Sequence, residues 1–154
     1  MTLPVDMPCP RPGFAGVPAA VPEPDGDRVS ERLSGARVLI VEDEALIALE
    51  LEHILGTVGH EVVGMAADAR SGIRLAVEHA PDVVLMDVSL GDGPDGIHAA
   101  MTVVAETDAR IVFVTAHTDE RTLDRLGRVG FSRVVAKPFA HHEILAAIRD
   151  ALEG

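Results

Sequence analysis

Short apolar runs alternate with helical patterns along most of the chain. The runs are four or five residues long, are rich in β-branched side chains, and cover residues 37–41, 61–65, 82–86, 110–114 and 133–136. The first, third and fourth are apolar almost throughout, which is typical of central parallel strands covered on both faces. The pattern therefore predicts a parallel sheet with helices on both sides.

Apolar residues between and after these runs recur three and four positions apart, which predicts a helix after each strand. The predicted helices begin near Ala45, Ser71, Ile97, Glu120 and His142, and the first carries Ile47, Leu51, Ile54, Leu55 and Val58 on one face. Gly59 and Gly130 stand where helices are expected to stop. Five such strand–helix units imply a doubly wound α/β fold.

The first 35 or so residues have a different composition. Seven of the ten prolines fall between Pro4 and Pro24, among glycine, alanine and acidic residues. Such a segment buries too little apolar surface to order itself, which predicts a disordered extension over residues 1–35 and a folded domain over residues 36–154. The extension is interpreted as a tether or partner-binding segment, a dispensable leader, or the product of a wrongly chosen start codon.

Charge and length narrow the possible functions. The chain has 154 residues, enough for one domain with one core, and a formal net charge of -12. Phosphates attract basic faces, so this acidity argues against binding to nucleic acid or to an anionic membrane. Cys9 is the only cysteine, which fits a reducing compartment. Neither a secretory leader nor an apolar stretch of about 20 residues is present, and we predict a cytoplasmic location.

Charged and polar residues follow four of the five predicted strands. In open parallel sheets, binding sites form outside the carboxyl ends of the strands. Glu42, Asp43 and Glu44 follow the first strand, Asp87 the third, Thr115 the fourth and Lys137 the fifth. Lys137 is also the only lysine beside twelve arginines, which reflects either coding bias or a requirement for a compact ammonium group.

The chemistry of this set is specific. Carboxylates packed together repel one another and favour a hard cation, and Mg²⁺ prefers oxygen ligands and shares its sites with phosphate oxygens. A carboxylate beside the metal can act as a nucleophile toward phosphorus. The metal, the Lys137 ammonium and the Thr115 hydroxyl could each stabilise the transferred phosphoryl oxygens.

At these residues the chain resembles the CheY-like receiver domain of two-component response regulators. The matching motifs are Val41-Glu42-Asp43, Met86-Asp87, Val114-Thr115-Ala116 and Lys137-Pro138-Phe139, in family order over about residues 36–154. Singly, each has a structural explanation, such as acidic residues that favour a helix start. Together, each at the end of a predicted strand, they favour the family. The resemblance implies a flavodoxin-like five-stranded sheet in the order 2-1-3-4-5 with five helices.

The resemblance also implies a role for each matching residue. Asp87 would be the phosphoacceptor, and the Mg²⁺ would be held by Asp43 directly, by Glu42 mainly through water, by Asp87 and by the Ser89 backbone carbonyl. Lys137 would pair with Asp87 or its phosphate, and Thr115 would swing toward that phosphate. The Lys137–Pro138 peptide bond would be cis.

The implied protein is a single-domain response regulator. It would accept a phosphoryl group from a histidine kinase or a histidine phosphotransfer protein, and would catalyse only its own phosphorylation and dephosphorylation. It would then act as a relay, as a phosphate sink, or as a switch that binds a protein target. The sequence leaves these three outputs open, together with the kinase, the target and the phosphate lifetime.

The chain departs from the common family pattern at three places. The loop 89–96 is one residue longer than usual and lacks the usual proline after the acceptor. This loop and residues 42–55 are similar to receivers of alphaproteobacterial general-stress regulators. Ser89 and His117 occupy the variable positions near the phosphate. Val134 stands where many relatives have Tyr or Phe, so we expect switching to concentrate after strand four and at the start of helix four. The candidate residues for a target interface are Arg121, Arg125, Arg133 and His142.

Three alternatives share parts of this pattern. A flavodoxin-like flavin binder would need a phosphate-binding Gly/Ser/Thr loop where Glu42, Asp43 and Glu44 stand. A haloacid-dehalogenase-type phosphatase would show Asp-x-Asp after its first strand, whereas Asp87 is followed by Val88 and Ser89. A phosphorylation-independent docking module with the receiver fold is the alternative of a different kind, and the complete set of site residues argues against it.

Overall fold

A computed structural model of the chain describes residues 35–91, 93–129 and 132–154. The strands are β1 (Arg37–Val41), β2 (Glu61–Ala66), β3 (Val83–Met86), β4 (Arg110–Thr115) and β5 (Ser132–Ala136). The helices are α1 (Ala45–Thr57), α2 (Ala69–His79), α3 (Gly96–Glu106), α4 (Glu120–Leu126) and α5 (His141–Glu153). The predicted disordered extension lies outside the described residues, apart from Gly35. Within the described ranges, no helix is long and apolar enough to cross a membrane.

The five strands form one parallel sheet in the order β2-β1-β3-β4-β5. This confirms the predicted fold class and strand order. After β1, the chain adds β2 on one side of that strand and then returns to add β3 on its other side. Open α/β sheets leave a crevice at their carboxyl edge at such a point. Glu42 and Asp87 follow β1 and β3.

Alternate strand residues build two separate apolar cores. Leu39, Met86 and Phe113 belong to the core on the face covered by α2 and α3. Ile40 and Leu85 belong to the core on the opposite face, which α1 and α5 cover. Burying each large apolar side chain stabilises the fold by roughly 1.5–3 kcal/mol, so the strand ends that carry the site rest on a rigid base.

The structure confirms the predicted helix stop at Gly59, but it leaves Val58 outside α1 and ends α4 earlier than expected. α1 ends at Thr57, and Val58 lies beyond its end and is exposed. Gly59 then adopts a φ of 86°, which glycine reaches without steric cost. α4 ends at Leu126, ahead of the predicted stop, because the next turns are tighter and bond three residues back instead of four. Gly130 itself lies outside the described residues.

Candidate functional site

Four strands bring the predicted site residues to one edge of the sheet. Glu42 follows β1, Asp87 follows β3, Thr115 ends β4 and Lys137 follows β5. Backbone hydrogen bonds continue past the strand ends, because Asp87 N donates to Val41 O at 3.0 Å and Lys137 N donates to Thr115 O at 2.9 Å. The sheet therefore fixes the positions of the residues that carry the chemistry.

Three carboxylates form the centre of this edge. Oxygen atoms of Glu42, Asp43 and Asp87 lie within 4.8 Å of one another. Glu42 and Asp87 are buried, whereas Asp43 is exposed. Like charges at this spacing favour a bound cation, and carboxylate oxygens are the ligands that hard divalent cations prefer. The donor set fits such a cation, reached from solvent on the Asp43 side.

The environment of Glu42 also favours a bound cation. Its side chain is only 1% exposed. Burial, opposed in part by Lys137 and reinforced by the charge of Asp87, raises the pKa of Glu42 to about 7. Its Oε1 lies 2.8 Å from Lys137 Nζ, yet accepts no well-oriented hydrogen bond from the described residues. The Lys137 ammonium balances this buried charge only in part, so a bound metal cation or a proton would stabilise the carboxyl group further.

The Lys137 ammonium lies among three carboxylates. Its Nζ is 2.8 Å from Glu42 Oε1, 3.2 Å from Asp87 Oδ2 and 3.5 Å from Glu44 Oε1. Burial alone would lower the pKa of Lys137, but the Glu42 and Asp87 carboxylates outweigh it and raise that pKa. The structure thus contains the pairing with Asp87 that the resemblance implies, and adds a shorter one with Glu42. The Lys137–Pro138 peptide bond is cis.

The loop after Asp87 is anchored at both ends. Ser89 N donates to Asp87 Oδ1 at 3.2 Å, and Gly96 N donates to Val88 O at 2.8 Å. Asp95 is the N-cap of α3, and its side chain accepts a hydrogen bond from the first turn of that helix. The hydrogen bond from Gly96 N to Val88 O therefore joins the residue after Asp87 to the first residue of α3.

Replacing Gly96 by alanine is expected to distort this loop. A Cβ at Gly96 would overlap the carbonyl oxygen of Asp87, so the backbone beside the carboxylates must move. We expect the free energy of unfolding, measured in urea, to fall by about 1–3 kcal/mol, the usual cost of overpacking. Gly93→Ala is the matched control, because a Cβ there meets open space. Equal stabilities for the two variants would contradict this role of Gly96.

The predicted switch residues lie on the neighbouring strands. Thr115 is buried, and its Oγ1 accepts a hydrogen bond from His117 N at 2.9 Å. Among the described residues its hydroxyl makes no hydrogen bond to Asp87. Val134 pairs with Phe113 between β5 and β4, and 39% of its surface is exposed. It carries no ring that could rotate toward the site.

A family model for the response regulator receiver domain matches residues 38–149. The matched range contains the carboxylate cluster of Glu42, Asp43 and Asp87, together with Thr115 and Lys137. The chain belongs to the response regulator receiver domain family. Membership confirms the resemblance inferred from the motifs at the four strand ends, and it does not favour the flavin-binding or phosphatase alternatives.

Two relatives of this receiver are longer proteins. The transcriptional regulatory protein PdtaR of Mycobacterium tuberculosis is 37% identical over 131 residues, which are 85% of this chain and 62% of PdtaR. The phyllosphere-induced regulator PhyR of Methylorubrum extorquens is 32% identical over 116 residues, which are 75% of this chain and 43% of PhyR. The chain thus spans less than two thirds of the length of either protein.

Solved receiver domains superpose on this receiver over most of their length. The receiver domain of PhyR from Erythrobacter litoralis matches with a TM-score of 0.68 and 32% identity, covering 79% of this chain and 92% of that domain. The signal receiver domain of NarL from Mycobacterium tuberculosis matches with a TM-score of 0.73 and 27% identity, covering 79% and 98%. The described fold is therefore that of a whole receiver domain.

Two contacts near the receiver site do not follow from the motifs. Glu44 lies beside Lys137, and its place directly after two site carboxylates is the only signal for this in the sequence. Arg125, a candidate for the target interface, also pairs with Asp95 at 2.6 Å. These two residues are 30 positions apart, and no sequence pattern connects them.

Proposed function

We propose that Asp87 accepts a phosphoryl group in a Mg²⁺-dependent reaction, and that residues 36–154 form the receiver domain that carries it out. The observation that supports this is the placement of the Asp87 carboxylate. It is buried at the end of β3, 3.2 Å from Lys137 Nζ, and belongs to the same cluster as Glu42 and Asp43. A carboxylate in that position is suited to attack phosphorus.

The ion would be held by Asp43, Asp87 and the Ser89 backbone carbonyl, and by Glu42 mainly through water. When bound, Mg²⁺ neutralises charge on the phosphoryl oxygens. Residues of the chain itself carry out the transfer. An Asp87 oxygen forms the new bond to phosphorus while the bond from phosphorus to the donor breaks.

Two further side chains stabilise the charged product. The Lys137 ammonium, already 3.2 Å from Asp87 Oδ2, neutralises a phosphoryl oxygen. The Thr115 hydroxyl reaches the phosphoryl group after turning away from the N–H of His117. Preorganised charges of this kind need little rearrangement when the phosphoryl group arrives.

Phosphoryl uptake tests the proposal directly. The protein is incubated with acetyl phosphate and Mg²⁺ and then analysed by intact mass spectrometry. We expect a mass increase of one phosphoryl group, and its loss when EDTA is added first. An unchanged mass under conditions that label a known receiver would refute the proposal and favour the phosphorylation-independent docking module.

The natural phosphoryl donor is proposed to be a histidine kinase or a histidine phosphotransfer protein. Receiver domains interact with such proteins. α1 starts three residues after Glu42 and exposes Leu46 and Leu49, which are 81% and 55% accessible. Side chains three residues apart are neighbours on a helix surface, and adjacent exposed apolar side chains are a feature of protein interaction sites. We therefore place donor docking on the first two turns of α1.

Leu46→Asp is expected to slow phosphotransfer from the cognate donor by at least about tenfold, the effect of losing one anchor worth about 1.4 kcal/mol. Labelling by acetyl phosphate, which needs no docking surface, should stay within about twofold of the wild type. The control is Val77→Asp in α2, because Val77 is also exposed. Profiling against the histidine kinases of the host supplies the donor. Equal transfer rates for the two variants would place the docking surface elsewhere.

A further inference from the structure

An ion pair joins the loop of the phosphorylation site to α4. Arg125 NH2 lies 2.6 Å from Asp95 Oδ2, and both side chains are partly exposed. Asp95 closes the loop that begins at Asp87, whereas Arg125 lies near the end of α4. The pair therefore connects two segments that are 30 residues apart in the chain.

The two carboxylate oxygens of Asp95 have separate partners. Oδ1 accepts the hydrogen bond from His98 N at 2.9 Å that caps α3, and Oδ2 faces Arg125. Partial burial disfavours the charged carboxylate, but the His98 N–H and the Arg125 guanidinium lower the pKa of Asp95 overall. The helix cap therefore orients the side chain, and the ion pair is made to a group that is hydrogen-bonded to the first turn of α3.

The other end of this loop touches the acceptor itself. Ser89 N donates to Asp87 Oδ1 at 3.2 Å. A phosphoryl group on Asp87 takes up one carboxylate oxygen and replaces the single carboxylate charge with the roughly 1.5 to 2 negative charges of a phosphate. The hydrogen bond from Ser89 then adjusts, and the hydrogen bond from Gly96 N to Val88 O connects this change to the residue after Asp95.

α4 is the element that can respond most readily. It has seven residues, and Leu126 is its only buried one. Leu123 is exposed. A helix held by so little buried apolar surface is easily displaced. The Asp95–Arg125 ion pair adds a contact that positions this helix from outside the core.

We propose that the Asp95–Arg125 ion pair is the link through which phosphorylation of Asp87 displaces α4. Val134 offers no aromatic ring to carry a signal through β5, whereas the ion pair reaches α4 from the loop of the acceptor. A second connection reaches the start of α4 through the segment between Thr115 and Asp119. Asp119 is the N-cap of that helix. Because the link has no input unless Asp87 is modified, it rests on the proposed function.

Two substitutions break the link from opposite sides. Arg125→Gln removes the guanidinium. Asp95→Asn removes the negative charge but keeps a side-chain oxygen, and asparagine caps helices as well as aspartate does. Arg121→Gln is the control, because Arg121 is an exposed residue one turn earlier in the same helix. Urea unfolding establishes that each variant is folded.

The probe is Mg²⁺ with beryllofluoride, which mimics the phosphoryl group, and the readout is the change in amide chemical shifts. In the wild type we expect changes at residues 87–90 and in α4. In Arg125→Gln and Asp95→Asn, the changes at residues 87–90 should persist. Those in α4 should shrink by about two- to fivefold, the range expected for a surface ion pair. The double variant should show no greater loss than either single one, because both remove the same interaction.

Each other outcome overturns the link. If the chemical-shift changes in α4 were undiminished in both variants, the ion pair would not transmit the effect of phosphorylation to that helix. An equal loss in Arg121→Gln would show that any change in α4 has this effect. If beryllofluoride left the wild type unperturbed throughout, the proposed function would fail as well, and this result is distinct because the changes at residues 87–90 would be missing too.

Discussion

Asp87→Asn should abolish phosphoryl uptake from acetyl phosphate. The asparagine amide fills nearly the same space and can still accept the hydrogen bond from Ser89 N, but it offers no carboxylate oxygen to form an acyl phosphate. Intact mass spectrometry after incubation with Mg²⁺ should therefore show only the unmodified mass. The control is Asp108→Asn, which changes an exposed aspartate outside the site in the same way.

The same variant should keep its fold. Asp87 is buried beside Glu42, and its charge helps to raise the pKa of that carboxyl group. Removing one of the three clustered carboxylate charges relieves repulsion, and Lys137 keeps its shorter contact with Glu42. We therefore expect the metal-free Asp87→Asn protein to unfold at the same or a higher urea concentration than the wild type. Labelling equal to that of the wild type would show that another residue accepts the phosphoryl group.

Asp43→Ala is expected to weaken Mg²⁺ binding by at least about tenfold, the lower end of the losses seen when groups that support a metal are removed. Asp43 is the exposed member of the carboxylate cluster, so this variant leaves the apolar cores intact. Phosphoryl uptake at fixed Mg²⁺ should fall with the affinity, and Glu42→Ala should cause a smaller loss. Calorimetric titration with Mg²⁺ measures the first effect. Unchanged phosphorylation in EDTA would refute the part assigned to the metal.

The pH dependence of Mg²⁺ binding gives an independent check. The pKa of Glu42 is raised to about 7 in the metal-free protein, so this carboxyl group increasingly holds a proton as the pH falls below 7. A metal ligand must be deprotonated. We therefore expect the Mg²⁺ affinity to rise as the pH increases through 7, with protons released on binding, and Glu42→Gln should remove most of that release.

The fold and the central residues of the site follow from the sequence for one physical reason. Parallel strands buried on both faces give uninterrupted apolar runs, so the residues at their carboxyl ends, such as Asp87 and Lys137, can be identified. The carboxylates after β1 and the hydroxyl of Thr115 then fall on the same edge. The structure adds their distances and burial, which support one shared site.

Other features depend on contacts that have no local pattern. The preference of Lys137 for Glu42 over Asp87 arises from packing at the sheet edge. The ion pair of Asp95 with Arg125 depends on how α4 lies beside the start of α3. Helix ends are set by backbone hydrogen bonds that compete within one turn, which is why α4 ends at Leu126 although the apolar pattern allows a longer helix.

The most direct test of the account is to locate the phosphoryl group on the chain. Borohydride reduces an acyl phosphate of aspartate to homoserine, and tandem mass spectrometry of the digested protein then identifies the modified position. After treatment with acetyl phosphate and Mg²⁺, we expect homoserine at position 87 and unmodified aspartate at position 43. Homoserine at another position, or its absence from a protein whose intact mass shows the added phosphoryl group, would contradict the central claim.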